Sequence, residues 1–270
     1  MTRLEESNVH RRYLDTADGQ IHYVTAGAGR PVLLFHQTPR SWDEYREVIP
    51  ILARERRVVA MDTIGYGESY KPAGRSDIED YARGAIALLD GLGMESIAVV
   101  GHHTGAVIAM ELAASRPERV ERLVLSACPY VDAADRDRRH RTGGHRVDHV
   151  EPKPDGGHLA ELWQIRQRFY PKERPDLLTR FVADALRAGE KIREGHGACS
   201  RYRMEEKIGL VRCPTLVTWG TEDPFASPQG EIVARHIAGS RLAPIVGGSV
   251  AMVDEMPDVF ARLVLEFLSV

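Results

Sequence analysis

Hydrophobic and polar positions divide the chain into short apolar runs separated by glycine-rich turns and amphipathic stretches. Residues 32–35, 58–61, 96–100, 122–126 and 214–219 are strand-length runs dominated by apolar and β-branched residues, the mark of strands buried on both faces. A last strand is expected over 241–246. Between them apolar residues recur at helical spacing. In 42–54 they are Trp42, Tyr45, Val48, Ile49 and Leu52, with Ser41 as N-cap. Further helices are expected over 77–92, closed by Gly93, and over 106–115, 229–237 and 257–268. Residues 12–26 alternate as a β-hairpin around Ala17-Asp18-Gly19. Strands alternating with helices predict a parallel sheet covered on both faces.

Residues 129–207 break this rhythm. They hold an arginine-dense stretch, a proline- and glycine-rich stretch over 150–157, and helical patterns over 159–169 and 175–188. No strand-like run appears before Pro214, so a helical insertion between two strands is expected.

Two turns carry candidate chemistry. Val99-Val100-Gly101-His102-His103-Thr104-Gly105-Ala106 joins an apolar strand to a helix through Gly-x-x-x-Gly, and Gly220-Thr221-Glu222-Asp223-Pro224 ends a later strand on an acid.

Composition narrows the class. At 270 residues, 43% hydrophobic and 28% charged, the chain suits one large core. A net charge of −3 gives no basis for a nucleic-acid partner or an anionic membrane. The N-terminus, Met1-Thr-Arg-Leu-Glu-Glu-Ser-Asn, lacks the apolar centre of a secretion signal, and no run approaches the ~20 apolar residues that span a bilayer. Cys128, Cys199 and Cys213 are odd in number and far apart, as reduced thiols would be. A cytoplasmic protein with a small-molecule partner is expected, and a homodimer is left open.

The pieces in this order resemble the α/β-hydrolase superfamily over essentially the whole chain. Leu33-Leu34-Phe35-His36 followed by Trp42 resembles its oxyanion strand. Asp62-Thr63-Ile64-Gly65-Tyr66-Gly67-Glu68-Ser69 resembles its D-x-x-G-x-G-x-S loop, Gly101 to Gly105 its nucleophile elbow, and Gly220 to Asp223 its acid turn. The place of the insertion is similar to that in haloalkane and haloacetate dehalogenases, epoxide hydrolases and C–C hydrolases. The resemblance implies an α/β-hydrolase fold, a mostly parallel central sheet flanked by helices. It implies a core of residues 1–128 and 208–270, a helical cap over 129–207, no cofactor, and Asp223 as the acid.

The departures from the family pattern are specific. The elbow apex, serine, aspartate or cysteine in the family, is His103. The distal base should stand seven or eight residues before Pro257, at Val250 or Ser249, and no histidine follows His236. Gln37 replaces the usual glycine after His36. No ordinary Ser-His-Asp triad is encoded.

Histidine is among the few non-glycine residues that tolerate the positive φ of an elbow, and imidazole is a competent general base at neutral pH. We therefore expect His103 to transfer protons, oriented by Asp223 directly, through Ser249, or through water. Oxyanion donors are expected at the Thr104 N–H and at Gln37 beside His36. Such a site suits hydrolysis of an ester, lactone or activated C–C bond. It suits equally a cofactor-free lyase, cyclase or decarboxylase. In the plainer reading His103 fills a binding pocket in a protein without turnover.

His102 reads as structural, and Thr104 is expected to point away from the pocket. A metal site at His36, His102 and His103 is disfavoured, because adjacent histidines on a turn rarely face one ion and no acidic ligand motif accompanies them; no metal is expected. Trp163 and His196, the latter between two glycines, are candidate substrate-side residues of the insertion. Arg136, Arg138, Arg139, Arg141 and Arg146 alternate with acids and read as a solvated loop.

Overall fold

A computed structural model describes residues 9–142 and 150–269. The N-terminal segment discussed above and Arg146 lie outside the described residues, as do the side chains at positions 139, 140 and 142.

The hairpin forms as β1 (His10–Asp15) and β2 (Gln20–Ala26). The apolar runs become β3 (Pro31–Phe35), β4 (Arg57–Met61), β5 (Ile97–His102), β6 (Val120–Ser126) and β7 (Thr215–Thr218). Each is buried along most of its length, as strands covered on both faces require. With β8 (Arg241–Leu242) they make a sheet in the order β1-β2-β4-β3-β5-β6-β7-β8. β1 and β2 pair antiparallel, as do β2 and β4, and the other neighbours are parallel.

The expected helix over 42–54 is broken. Trp42–Tyr45 is a 3₁₀ turn whose Asp43 N–H donates to Ser41 Oγ, and α1 is only Ile49–Leu52. Pro50 has no N–H and fits only a first turn, so the two pieces do not join. α2 (Ile78–Gly91) starts on a reciprocal cap between Asp77 and Asp80. α3 (Thr104–Ser115) is buried from Thr104 to Ala114, which an all-round apolar helix requires. The last strand is shorter than expected: after β8, Ile245 N–H donates to Trp219 O and its carbonyl accepts from Thr221.

Between β6 and β7 the described residues form helices and no strand. They are α4 (Ala133–Thr142), α5 (Gly157–Arg166), α6 (Pro175–Ala188), α7 (Glu194–Arg201) and α8 (Met204–Lys207). The arginine-dense stretch, expected as loop, is helical over α4, with Arg136 paired to Glu205 and Arg138 to Asp135. α9 (Gly230–Arg235), α10 (Met252–Glu255) and α11 (Pro257–Ser269) complete the chain.

Two apolar clusters hold the layers together, one on each face of the sheet. The first joins α2, α3 and residues of α5 to α7, so the inserted helices share a core with the sheet. A buried charge network adds to this. Arg40, fully buried, donates to Asp184 of α6 at 3.0 Å and to Asp254 of α10 at 2.6 Å. Arg180 of α6 meets Asp43, Glu47 and Asp254. Among the described residues no helix is long and apolar enough to cross a membrane.

Candidate active site

β5 ends at His102, and the chain turns sharply into α3 through His103, at φ 48° and ψ −115°. The glycines on either side allow the turn. A Cβ on Gly101 would lie 2.2 Å from the Gly105 carbonyl oxygen, and one on Gly105 would lie 2.2 Å from that of Phe35. The His103 N–H donates to Ser126 O at 2.9 Å, which fixes the apex over β6.

The acid turn after β7 brings Asp223 to His103 directly, with Nε2 and Oδ2 2.9 Å apart. The two atoms are close, but their alignment falls short of a well-formed hydrogen bond. Asp223 is fully buried, and its Oδ1 accepts from the Phe225 and Ala226 N–H groups at 2.8 and 3.1 Å. Burial alone would push its carboxyl up. The nearby His103 and the two backbone donors outweigh that and hold it below the usual carboxylate range. With Nε2 turned to Asp223, Nδ1 is the ring nitrogen left to the cavity.

That cavity, of about 240 Å³, lies between the elbow and the inserted helices. Its wall combines Gln37 and Thr104 from the core with Arg138, Arg166 and His196 from the insertion. Thr104, expected to face away, lines it, and Thr38 Oγ1 donates to Thr104 Oγ1 at 3.0 Å. Gly195 of α7 rests on the same threonine: a Cβ there would lie 2.1 Å from Thr38 Oγ1. Val250 also lines the cavity, where the family pattern would put a distal base.

Several expected site residues stand elsewhere. His36 is fully buried beneath the wall, its Nδ1–H donating to Gln37 O and its Nε2 accepting from Thr63 N–H. It therefore holds the loop after β4 and does not reach the cavity. Ser249 does not bridge His103 and Asp223, which meet without it. Its Oγ accepts from Ala251 N–H, and it lines a neighbouring cleft of about 540 Å³. Trp163 packs half-buried against the large apolar cluster and does not line the cavity. The Gln37 N–H, expected to serve an oxyanion, donates to Glu44 Oε2 at 2.8 Å.

The histidines do not converge on an ion. Besides the commitments of His36, His102 Nε2–H donates to Val250 O at 3.3 Å and its Nδ1 accepts from Ser126 Oγ at 2.9 Å. Burial and the adjacent His103 push the His102 pKa down to about 3, so it is neutral. Among the described residues no group of three His, Cys, Asp or Glu is arranged to hold a metal.

Sequence reasoning missed Arg166. It is buried and stacked on Phe181, its guanidinium carbon 4.2 Å from the ring centroid. Arg166 and Phe181 are far enough apart in sequence that no local spacing announces the stack.

Comparison with known proteins agrees with this architecture. The profile of the α/β hydrolase fold family matches residues 30–237. The fluoroacetate dehalogenase of a Burkholderia species is 31% identical over 96% of this chain and 93% of its own length. The soluble epoxide hydrolase of Corynebacterium sp. is 41% identical, over 39% of this chain and 37% of its own. Among solved structures, the enol-lactonase of Burkholderia xenovorans LB400 superposes with a TM-score of 0.79 at 22% identity, covering 96% of this chain and all of that one. The chain belongs to the α/β-hydrolase fold family. Its relatives are hydrolases, which supports an enzyme of hydrolase type.

Proposed function

We propose that this chain is a hydrolase-type enzyme acting on a small, partly apolar carbonyl compound, an ester, lactone or activated C–C bond, with His103 as general base in place of a Ser-His-Asp triad. The observation that carries this reading is the 2.9 Å contact of His103 Nε2 with the buried Asp223 at the cavity floor. Asp223 favours the proton on Nε2, which leaves Nδ1 with a lone pair toward the cavity. There it takes a proton from water as the water adds to the substrate carbonyl, and Asp223 stabilises the imidazolium that forms. The developing oxyanion is served by the Thr104 N–H at the start of α3, where the helix dipole also favours negative charge. In this reading the helices over 129–207 act as a cap that closes the cavity against solvent.

A second reading has one observation in its favour. Glu44 occupies the Gln37 N–H, which leaves the oxyanion fewer donors than acyl transfer ordinarily uses. Proton abstraction by His103 in a cofactor-free lyase, cyclase or decarboxylase needs no second donor. Turnover of an ester, lactone and C–C substrate panel in ¹⁸O-labelled water separates the two, since hydrolysis places the label in the product. His103→Ala is expected to lower kcat/KM by about 10²–10⁴, the usual worth of a general base. Activity within about tenfold of wild type overturns the proposal.

A further inference from the structure

Gln37 stands on the cavity wall next to the elbow, and Glu44 takes its backbone N–H and one of its two side-chain N–H donors. The backbone N–H donates to Glu44 Oε2 at 2.8 Å, and the side-chain Nε2 donates to Glu44 Oε1 at 2.5 Å. Both residues are buried. With Nε2 held on Glu44, the amide Oε1 is the acceptor that Gln37 keeps for the cavity, beside the second Nε2–H. An oxyanion is repelled by an acceptor, whereas a hydroxyl or N–H is bound by it.

We propose that Glu44 in its carboxylate form holds the Gln37 amide so that this wall of the cavity offers an acceptor, and that in this form the site selects carbonyl compounds carrying a hydroxyl or N–H group beside the carbonyl. This rests on the reading of the cavity as the site of a small carbonyl compound. The carbonyl oxygen lies toward the Thr104 N–H and the neighbouring donor toward Gln37 Oε1. The two groups of one substrate thus meet a donor and an acceptor on adjacent segments of the core.

The groups around Glu44 are Arg40 on its own loop, Asp254 from α10, Tyr45 next in sequence and Tyr170 from the insertion. Burial and Asp254 push its carboxyl up, while Arg40 and the two Gln37 donors pull it down, leaving it at about 8. Below that pH the protonated carboxyl donates its O–H to the amide oxygen. The amide then turns, and its NH₂ faces the cavity. Preference for a donor-bearing ligand must accordingly rise with pH.

The test is calorimetric binding of 2-hydroxyacetophenone and 2-methoxyacetophenone to the intact protein. The two differ in one hydrogen-bond donor. The expected result is a preference for the hydroxyketone of about tenfold near pH 9, the worth of one buried hydrogen bond, falling severalfold near pH 6. In Glu44→Gln the substituted amide must give its oxygen to the backbone N–H of Gln37. Its NH₂ then meets the Gln37 oxygen and reverses that amide at every pH. The preference should fall to the low-pH level and lose its pH dependence. Gln37→Met, which removes the acceptor and the side-chain donor to Glu44 but keeps the backbone N–H on Glu44, should abolish the preference and serves if the first variant does not fold. Less than a twofold preference near pH 9 in the wild type, including no binding of either ketone, overturns the proposal. So does a preference retained in either folded variant. Because no bond is broken in this assay, failure of His103 as a base would leave its outcome untouched.

Discussion

Asp223→Asn isolates the feature on which the proposed chemistry depends, the tautomer of His103. The replacement keeps the size of the side chain. Its amide oxygen is expected to stay on the Phe225 and Ala226 N–H groups, which Oδ1 now receives at 2.8 and 3.1 Å, because two donors compete for it. The amide NH₂ then takes the place of Oδ2, 2.9 Å from His103 Nε2. An N–H aimed at Nε2 requires a lone pair there, so the imidazole proton moves to Nδ1, the nitrogen facing the cavity, and the base is lost. The expected fall in kcat/KM is about 10²–10⁴, with little change in KM because the wall is intact. Nitrogen NMR of the histidine ring reads the cause directly: Nδ1 should change from unprotonated in the wild type to protonated in the variant. The folded carboxyl of Asp223 lies below its unfolded value of about 3.9. Its contribution to stability is thus present above that pH and is lost as pH falls through the folded value. The stability gap between wild type and variant should close in acid. An unchanged tautomer, or a rate within threefold of wild type, refutes the reasoning.

Arg40→Met leaves Asp184 and Asp254 buried without their main partner and should cost about 3–5 kcal/mol, or roughly 6–10 °C in Tm by calorimetry. Burial already raises the Asp184 carboxyl against the pull of Arg40. Without the arginine it rises further, so the deficit should be larger near pH 8 than near pH 5. Gly195→Ala drives a methyl into Thr38 Oγ1 and should cost about 1–3 kcal/mol while weakening ligand binding, both readable in one thermal-shift titration. Burial holds the Cys128 thiol well above its ordinary pKa, so iodoacetamide near pH 8 should leave it unmodified in the native protein and label it on unfolding.

The fold was legible because its signals are local. Each buried strand is a contiguous apolar run, and the elbow, acid turn and glycine loop are each a few residues long. The meeting of His103 and Asp223 follows from the same locality, since parallel strands present their C-terminal ends at one edge of the sheet. The Pro50 break was present in the sequence but was overridden by the apolar periodicity around it. Gln37 lines the cavity, but its backbone N–H goes elsewhere for a different reason. Its type and position suggested a donor to the substrate, but its backbone N–H and one side-chain N–H donate to Glu44, whose carboxyl returns to it only once the 3₁₀ turn has formed. Ser249 and Trp163 show the same limit. Sequence placed one near the missing base and the other on the insertion, while orientation sent Ser249 into a neighbouring cleft and laid Trp163 half-buried against the apolar cluster.

The arginine pairs that join the loop after β3 to α6 have a consequence for how a ligand reaches His103. α6 is tied to the core by Arg40 through Asp184 and by Arg180 through Asp43 and Asp254, all shielded from solvent. α4, which gives Asp135 and Arg138 to the cavity, holds Arg136 on Glu205 of α8 and on the Tyr202 carbonyl, both within the insertion. α6 is thus fastened directly to the core, whereas these ties of α4 run to other inserted segments. Admission of a ligand by movement of the inserted helices would swing α4 and leave α6 as the fixed post. A disulfide engineered across α4 and the core should throttle access, and one across α6 and the core should not.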